Sequence, residues 1–201
     1  MIDDLGVRRA GAMGNQRVDW LAGGDRRSVA RDRIGAAATE LILAHGIDGL
    51  SVDDVAARAG CSRATLYRHV GGKTALVRMV VMGAAEAVAA RVAAEVEGHR
   101  GSRRAVEAIL ASVTAIRTDL MLSQWVTGAG SSNAEEFLAA APDLGRIAVS
   151  LTRITPDHEA AQWIVRVVLS LLAWPLPDAA MERRMVQRFV APLFAHERPG
   201  A

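Results

Sequence analysis

Arg63, Ala64, Thr65, Tyr67 and Arg68, with His69 and Lys73 close behind, form the stretch of this chain whose residue types and spacing suggest a chemistry. They supply guanidinium and ammonium donors, methyl groups and a phenolic hydroxyl, with no carboxylate among them. Between Asp54 and Glu86 no acidic residue occurs, whereas Arg58, Arg63, Arg68, Lys73 and Arg78 all fall there. Such a field attracts polyanions, and it equally suits a solvated basic helix face. In a helix over 63–69, at about 100° per residue, Leu66 and Val70 lie on one side while Ala64 and Arg68 point roughly opposite. One side then packs and the other looks out. An outward Arg63 can pair with guanine in a major groove, and Ala64 or Thr65 can meet a thymine methyl. With no acid in its first turn, the helix start keeps free N–H groups and a partial positive charge, which favour phosphate.

Capping residues predict how this segment is held. Ser51, followed three residues later by Asp54, starts a short helix over 52–59, and Gly60 can take the positive φ that ends it. Ser62 caps the next helix. Because only Gly60 and Cys61 intervene, the two axes must turn sharply, as in a helix-turn-helix. Upstream, Ile34, Ala37, Ala38, Leu41, Ile42 and Ala44 keep the spacing of one buried stripe from Ser28 to a stop at Gly46. Residues 1–27, with scattered glycines and no apolar period, read as a flexible N-terminal tail. Downstream, helical spacing predicts a long segment over 73–97, then 102–117, 119–127, 133–152, 157–173 and 178–195. No stretch alternates with period two. The expected class is all-α.

Composition narrows the functional classes. The chain has 201 residues, 51% hydrophobic and 23% charged, which suits one large domain or two modest ones and is too apolar for a disordered chain. Its net charge of +2 divides into twelve Lys/Arg against nine Asp/Glu over residues 1–80, and a slight acidic excess beyond. No apolar run is long enough to span a bilayer, so no membrane association is expected. Cys61, the single cysteine, allows no intrachain disulfide and fits a reducing cytoplasm. Gly71-Gly72-Lys73-Thr74 looks like the end of a phosphate-binding loop, but the motif's first glycine would have to stand where Tyr67 is. The five histidines form no i,i+4 pair, so neither a metal site nor a cofactor is expected.

The run from Ile34 through Leu76 resembles the DNA-binding domain of the tetracycline-repressor (TetR) family. The matching residues are Ala44-His45-Gly46, Gly49-Leu50-Ser51-Val52-Asp53-Asp54-Val55-Ala56, Ser62-Arg63-Ala64-Thr65-Leu66-Tyr67-Arg68-His69-Val70 and Lys73-Thr74-Ala75-Leu76. Val70 stands where the family commonly has Phe, one apolar residue for another. The resemblance implies an all-helical homodimer, with an N-terminal three-helix domain (28–76) on a palindromic double-stranded operator. A larger helical domain (77–201) would dimerise and hold a small-molecule effector. It implies phosphate contacts from Tyr67, His69 and Lys73, a backbone contact from Ser51, and base contacts from Arg63, Ala64 and Thr65. Ser62 and Arg68 complete the candidate DNA-binding set.

Beyond Leu76 the likeness fades, and the residues carry the reading alone. Met121, Trp125, Phe137, Trp163 and Trp174 sit on Ala/Val/Leu-rich segments, where they could line an effector pocket or simply fill core. Arg117 or Gln124 would supply a polar contact. The last two helices carry the candidate dimer interface: Val165, Val168, Leu169, Leu172, Val186, Phe189, Val190 and Leu193. Arg8, Arg9 and Arg17 could reach an adjacent minor groove or belong to an untethered tail. The expected function is a sequence-specific transcriptional regulator, most simply a ligand-responsive repressor and not an enzyme. Two other classes stay open: a small-molecule-binding helical enzyme, and a DNA-binding adaptor controlled by a protein partner.

Overall fold

The computed structural model describes residues 17–127, 142–153 and 158–194. Among them there are only helices: α1 (Arg17–His45), α2 (Val52–Ala59), α3 (Arg63–His69), α4 (Lys73–Glu95), α5 (Gly101–Thr118), α6 (Leu120–Thr127), α7 (Pro142–Thr152), α8 (His158–Ala173), α9 (Ala179–Phe189) and a 3-10 turn, Ala191–Phe194.

The punctuation is chemical. Gly46, at φ 73°, ends α1. The Ser51 hydroxyl accepts the Asp54 N–H at the start of α2. Gly60, at φ 68°, turns the chain out of α2, and the Cys61 N–H reaches back to the Ala56 carbonyl at 2.9 Å. Ser62 caps α3, accepting the Thr65 N–H at 3.1 Å.

Two elements differ from the sequence expectation. The first helix starts at Arg17, within the segment read as a tail, and so passes through Gly23-Gly24. Each glycine costs about 1 kcal/mol relative to Ala and weakens a helix without forbidding it, and apolar period reports only the part of a helix that packs. The segment expected over 178–195 divides into α9 and the 3-10 turn. Pro192 cannot donate to the ladder, and its ring clashes with the carbonyl four residues back, so the α-helix stops before it. The part of the predicted 133–152 helix before Pro142 lies outside the described residues, as do Arg8 and Arg9, while the Arg17 side chain is likewise undescribed.

Three apolar clusters hold the fold. Around Leu66 of α3 pack Ile34 and Ala38 of α1, Val55 of α2, and Leu76 and Val80 of α4. A second cluster joins α5, α7, α8 and α9, and a third joins α4 to α5, α6 and α7. Adjacent α4 residues therefore serve different cores: Val80 belongs to the first and Val81 to the third. Arg104 ties the start of α5 to the end of α4. It is buried, and its Nη1 donates to the Val96 carbonyl at 2.6 Å. Burial, then the nearby Arg153 and Arg100 charges, lower its pKa.

Candidate nucleic-acid interface and an apolar cavity

Leu66 has no exposed surface, while Arg63, Ala64, Tyr67 and Arg68 on the rest of α3 are exposed. The short helix is thus pinned by one side chain and offers the others to solvent. Thr65 is half-buried, and its hydroxyl lies 2.9 Å from that of Ser62, within the cap. His69 is half-buried at the helix end, where its carbonyl accepts from Arg31 of α1. Ser51 sits at the start of α2 and Lys73 at the start of α4, on either side of α3 in the chain.

The acid-free run of sequence is not acid-free in space. Arg58 pairs with Glu40, Arg78 with Asp143 at 3.5 Å, and Arg63 with Asp53 at 3.0 Å. Both Asp53 oxygens accept from the same Arg63 nitrogen, Nη1, at 3.2 and 3.0 Å. Asp53 leaves the Nη2 and Nε donors to Tyr67, whose side-chain hydrogen bond is the first cause that raises the Arg63 pKa, and to an incoming acceptor pair such as guanine O6 and N7. The guanidinium also lies 5.6 Å from the Tyr67 ring centroid, so one carboxylate and one ring hold Arg63 against free rotation. Lys73 Nζ donates to the Asp48 carbonyl at 2.8 Å, which leaves two of its three donors. Arg68 is exposed and has no ion-pair partner among the described residues.

Behind this surface α4 leads to a cavity of about 110 Å³, partly open to solvent, between α4, α5, α6, α7 and α8. Trp125 is among its lining residues. The other pocket candidates are elsewhere. Met121 is buried in the cluster around Leu66, and Trp163 is 39% exposed on α8. Arg117 is committed to a carboxylate and a carbonyl: Nη1 and Nη2 meet Glu182 at 2.9 and 2.6 Å, and Nη2 also donates to Leu171 O at 2.8 Å. Phe137 and the Gln124 side chain lie outside the described residues. Sequence reasoning missed Ser112, Thr152 and the aliphatic lining, because nothing in an Ala/Val/Leu pattern says which residues border a void.

The candidate interface residues divide the same way. Leu172, Val186 and Val190 are buried in the protomer's own second core, while Val165, Val168 and Leu169 border the cavity. Only Phe189, 60% exposed, and Leu193, 62% exposed, present large apolar surface to solvent. The periodicity that marked these stripes is the same for a helix packing inside its subunit and for one packing against a partner.

A basic, solvent-facing helix set on a helix-turn-helix, joined by a long helix to a hollow helical body, defines a DNA-binding regulator. The chain belongs to the TetR family of transcriptional regulators. The family signature "Bacterial regulatory proteins, tetR family" matches residues 34–80. Two HTH-type transcriptional regulators from strains of Mycobacterium tuberculosis, MT1294 and Rv1255c, are each 30% identical over 185 residues, covering 87% of this chain and 90% of theirs. The crystal structure of AlkX, a TetR family repressor from a Dietzia strain implicated in biodegradation of n-alkanes, shares the fold. It has a TM-score of 0.60 at 22% identity, over 81% of this chain and 93% of that one. Among the described residues no helix is long and apolar enough to cross a membrane, and no cluster of His, Cys, Asp and Glu could hold a metal ion.

Proposed function

We propose that this regulator is a ligand-responsive repressor whose homodimer sets two copies of α3 into successive major grooves of a palindromic operator. The observation that carries the reading is the exposed side of α3, which bears no acidic residue of its own. Arg63, Ala64 and Thr65 meet base edges, with Arg63 presented by Asp53 and Tyr67, and Tyr67, Arg68, His69, Lys73, Ser51 and Ser62 meet the backbone on either side. Two half-sites about 34–36 Å apart, or a multiple, require a partner subunit of fixed spacing. Trp163, Met185, Phe189 and Leu193 support that partner, being large apolar side chains exposed on α8, α9 and the final turn. Ligand response is supported by α4, which places Val80 in the core behind α3 and Val81 against the cavity. An effector that binds better to the wide-spaced dimer needs only ~1.4 kcal/mol of differential affinity to weaken operator binding tenfold.

Selection of bound duplexes from a random pool with the full-length protein tests the reading, and the expected product is an inverted repeat. Recovery of no preferred duplex would defeat it. On the selected operator, Arg63→Ala should relax preference at one position per half-site by ~1–3 kcal/mol. Lys73→Ala should instead weaken all sequences alike and lower the salt slope by about one. An unaltered sequence logo in the first variant, or an unaltered slope in the second, removes that residue's role. Phe189→Asp combined with Leu193→Asp should yield monomers by light scattering and lose tight operator binding. A double variant that remains dimeric would place the interface elsewhere.

A further inference from the structure

We infer that the cavity takes an uncharged, slender aliphatic ligand carrying one hydrogen-bond acceptor near its middle, which the Ser112 hydroxyl reads. The inference rests on the ligand-responsive reading above and adds to it the chemical class of the effector.

Charge is excluded by the walls. Among the described residues, the lining side chains include no Asp, Glu, Lys, Arg or His. The cations that stand next to lining residues in sequence are Arg117, Arg146, Arg153 and Arg166, and none of them is part of the lining. Arg117, next to Ile116, is held by Glu182, and Arg104, one turn before Ala108, is not part of the lining and donates to the Val96 carbonyl. An ionised group seated among these walls would lose its water and find no counter-charge among the described lining residues, so the part of a ligand held inside is uncharged.

Shape follows from which residues border the space. On α4 the lining runs from Val81 to Ala89, on α5 from Ala108 to Ile116, on α7 from Leu144 to Thr152 and on α8 from Ile164 to Leu172. Each span is nine residues, eight rises of helix, or about 12 Å. A volume of about 110 Å³ drawn out along four such walls is a slot. For comparison, a cavity of about 150 Å³ lined by aliphatic and aromatic side chains holds a single benzene. With C–C bonds of about 1.5 Å, an extended chain of roughly six to eight carbons fits the length of the walls, and because the volume is smaller than the one that holds benzene, part of that chain lies at the open side of the slot.

Polar side-chain groups are few among the described lining residues: two hydroxyls and the Trp125 indole. Ser112 and Thr152 are the hydroxyl-bearing residues of the lining. Thr152 spends its hydroxyl on the Ala148 carbonyl at 2.7 Å. Ser112 stands midway along the α5 wall, four residues from Ala108 and four from Ile116, so its donor faces the middle of a chain and not its end.

Titration calorimetry on the full-length protein with 4-octanone, octanoate and a rigid tetracyclic steroid at neutral pH tests this. The ketone should bind at least tenfold more tightly than either of the others, and it should release the selected operator. Octanoate or the steroid binding as tightly as the ketone overturns the inference, and that comparison needs no variant. Ser112→Ala should weaken 4-octanone three- to tenfold and leave n-hexane unchanged, whereas equal losses for both remove the Ser112 role. Ala148→Leu, checked for an intact melt, should close the slot to the ketone. Failure of the two readings is separable. A protein that binds the ketone and ignores DNA defeats the repressor reading alone, whereas operator release by a charged effector defeats the ligand class alone.

Discussion

Leu66→Ala should destabilise the DNA-binding end by about 2–5 kcal/mol and cost most of the operator affinity, although Leu66 would touch no DNA. α3 has seven residues, far short of the ~12–15 at which an isolated helix becomes even marginal in water. Its place is therefore set by the cap at Ser62 and by the buried Leu66 side chain. Ser62→Ala should cost about 1 kcal/mol, a cap's usual worth, and so provides the scale. The larger loss at Leu66 comes from the void left among Ile34, Ala38, Val55, Leu76 and Val80, which belong to three other helices and cannot all close on it. Denaturant titration with operator binding measured alongside is the check. A loss under 1 kcal/mol with operator affinity intact would mean that α3 is held by something other than this packing.

The same residues explain how much could be read in advance. The helix-turn-helix was legible because its instructions are local: Ser51 with Asp54, Gly60, then Ser62 fix two helix starts and one stop within twelve residues. Gly46 likewise ended α1 where expected. What escaped was nonlocal. Arg117 looked like a polar pocket residue because Glu182, its partner, lies 65 residues away. Asp53, the residue that steadies Arg63, reads in sequence only as an acid in the first turn of α2. Val186 and Val190 carried the stripe of an interface and pack within their own subunit, since period gives a face and not its partner. The cavity is the extreme case. It exists because five helices fail to meet, and no residue type encodes that.

Acid should weaken the C-terminal body through Glu182, and Glu182→Gln should blunt the effect. Glu182 is 4% exposed, and its carboxylate accepts from Arg117 of α5 and from the Leu176 N–H at 3.4 Å. Hydrogen bonding from Arg117, opposed by burial, holds its pKa below the usual 4.5. Because the folded carboxyl gives up its proton more readily than the unfolded one, the pair's contribution is complete above the unfolded pKa. It is lost as pH falls through the lower, folded value. Glu107, held by Arg183, shifts in the same direction, so a residual acid limb should survive in the variant. The amide keeps the shape of Glu182 and cannot accept as an anion, so at neutral pH the variant should lose about 1.5–3 kcal/mol, the usual worth of a hydrogen bond to a charged group. Arg117 is about one-third exposed and rehydrates in part, which places the expected loss toward the lower end. Urea midpoints taken from about pH 7 down to pH 3 should converge for the two proteins as the native carboxyl protonates. Parallel curves across that interval would show that the Arg117–Glu182 pair does not set the acid limb, and that the link between α5 and α9 rests on the surrounding aliphatic packing instead.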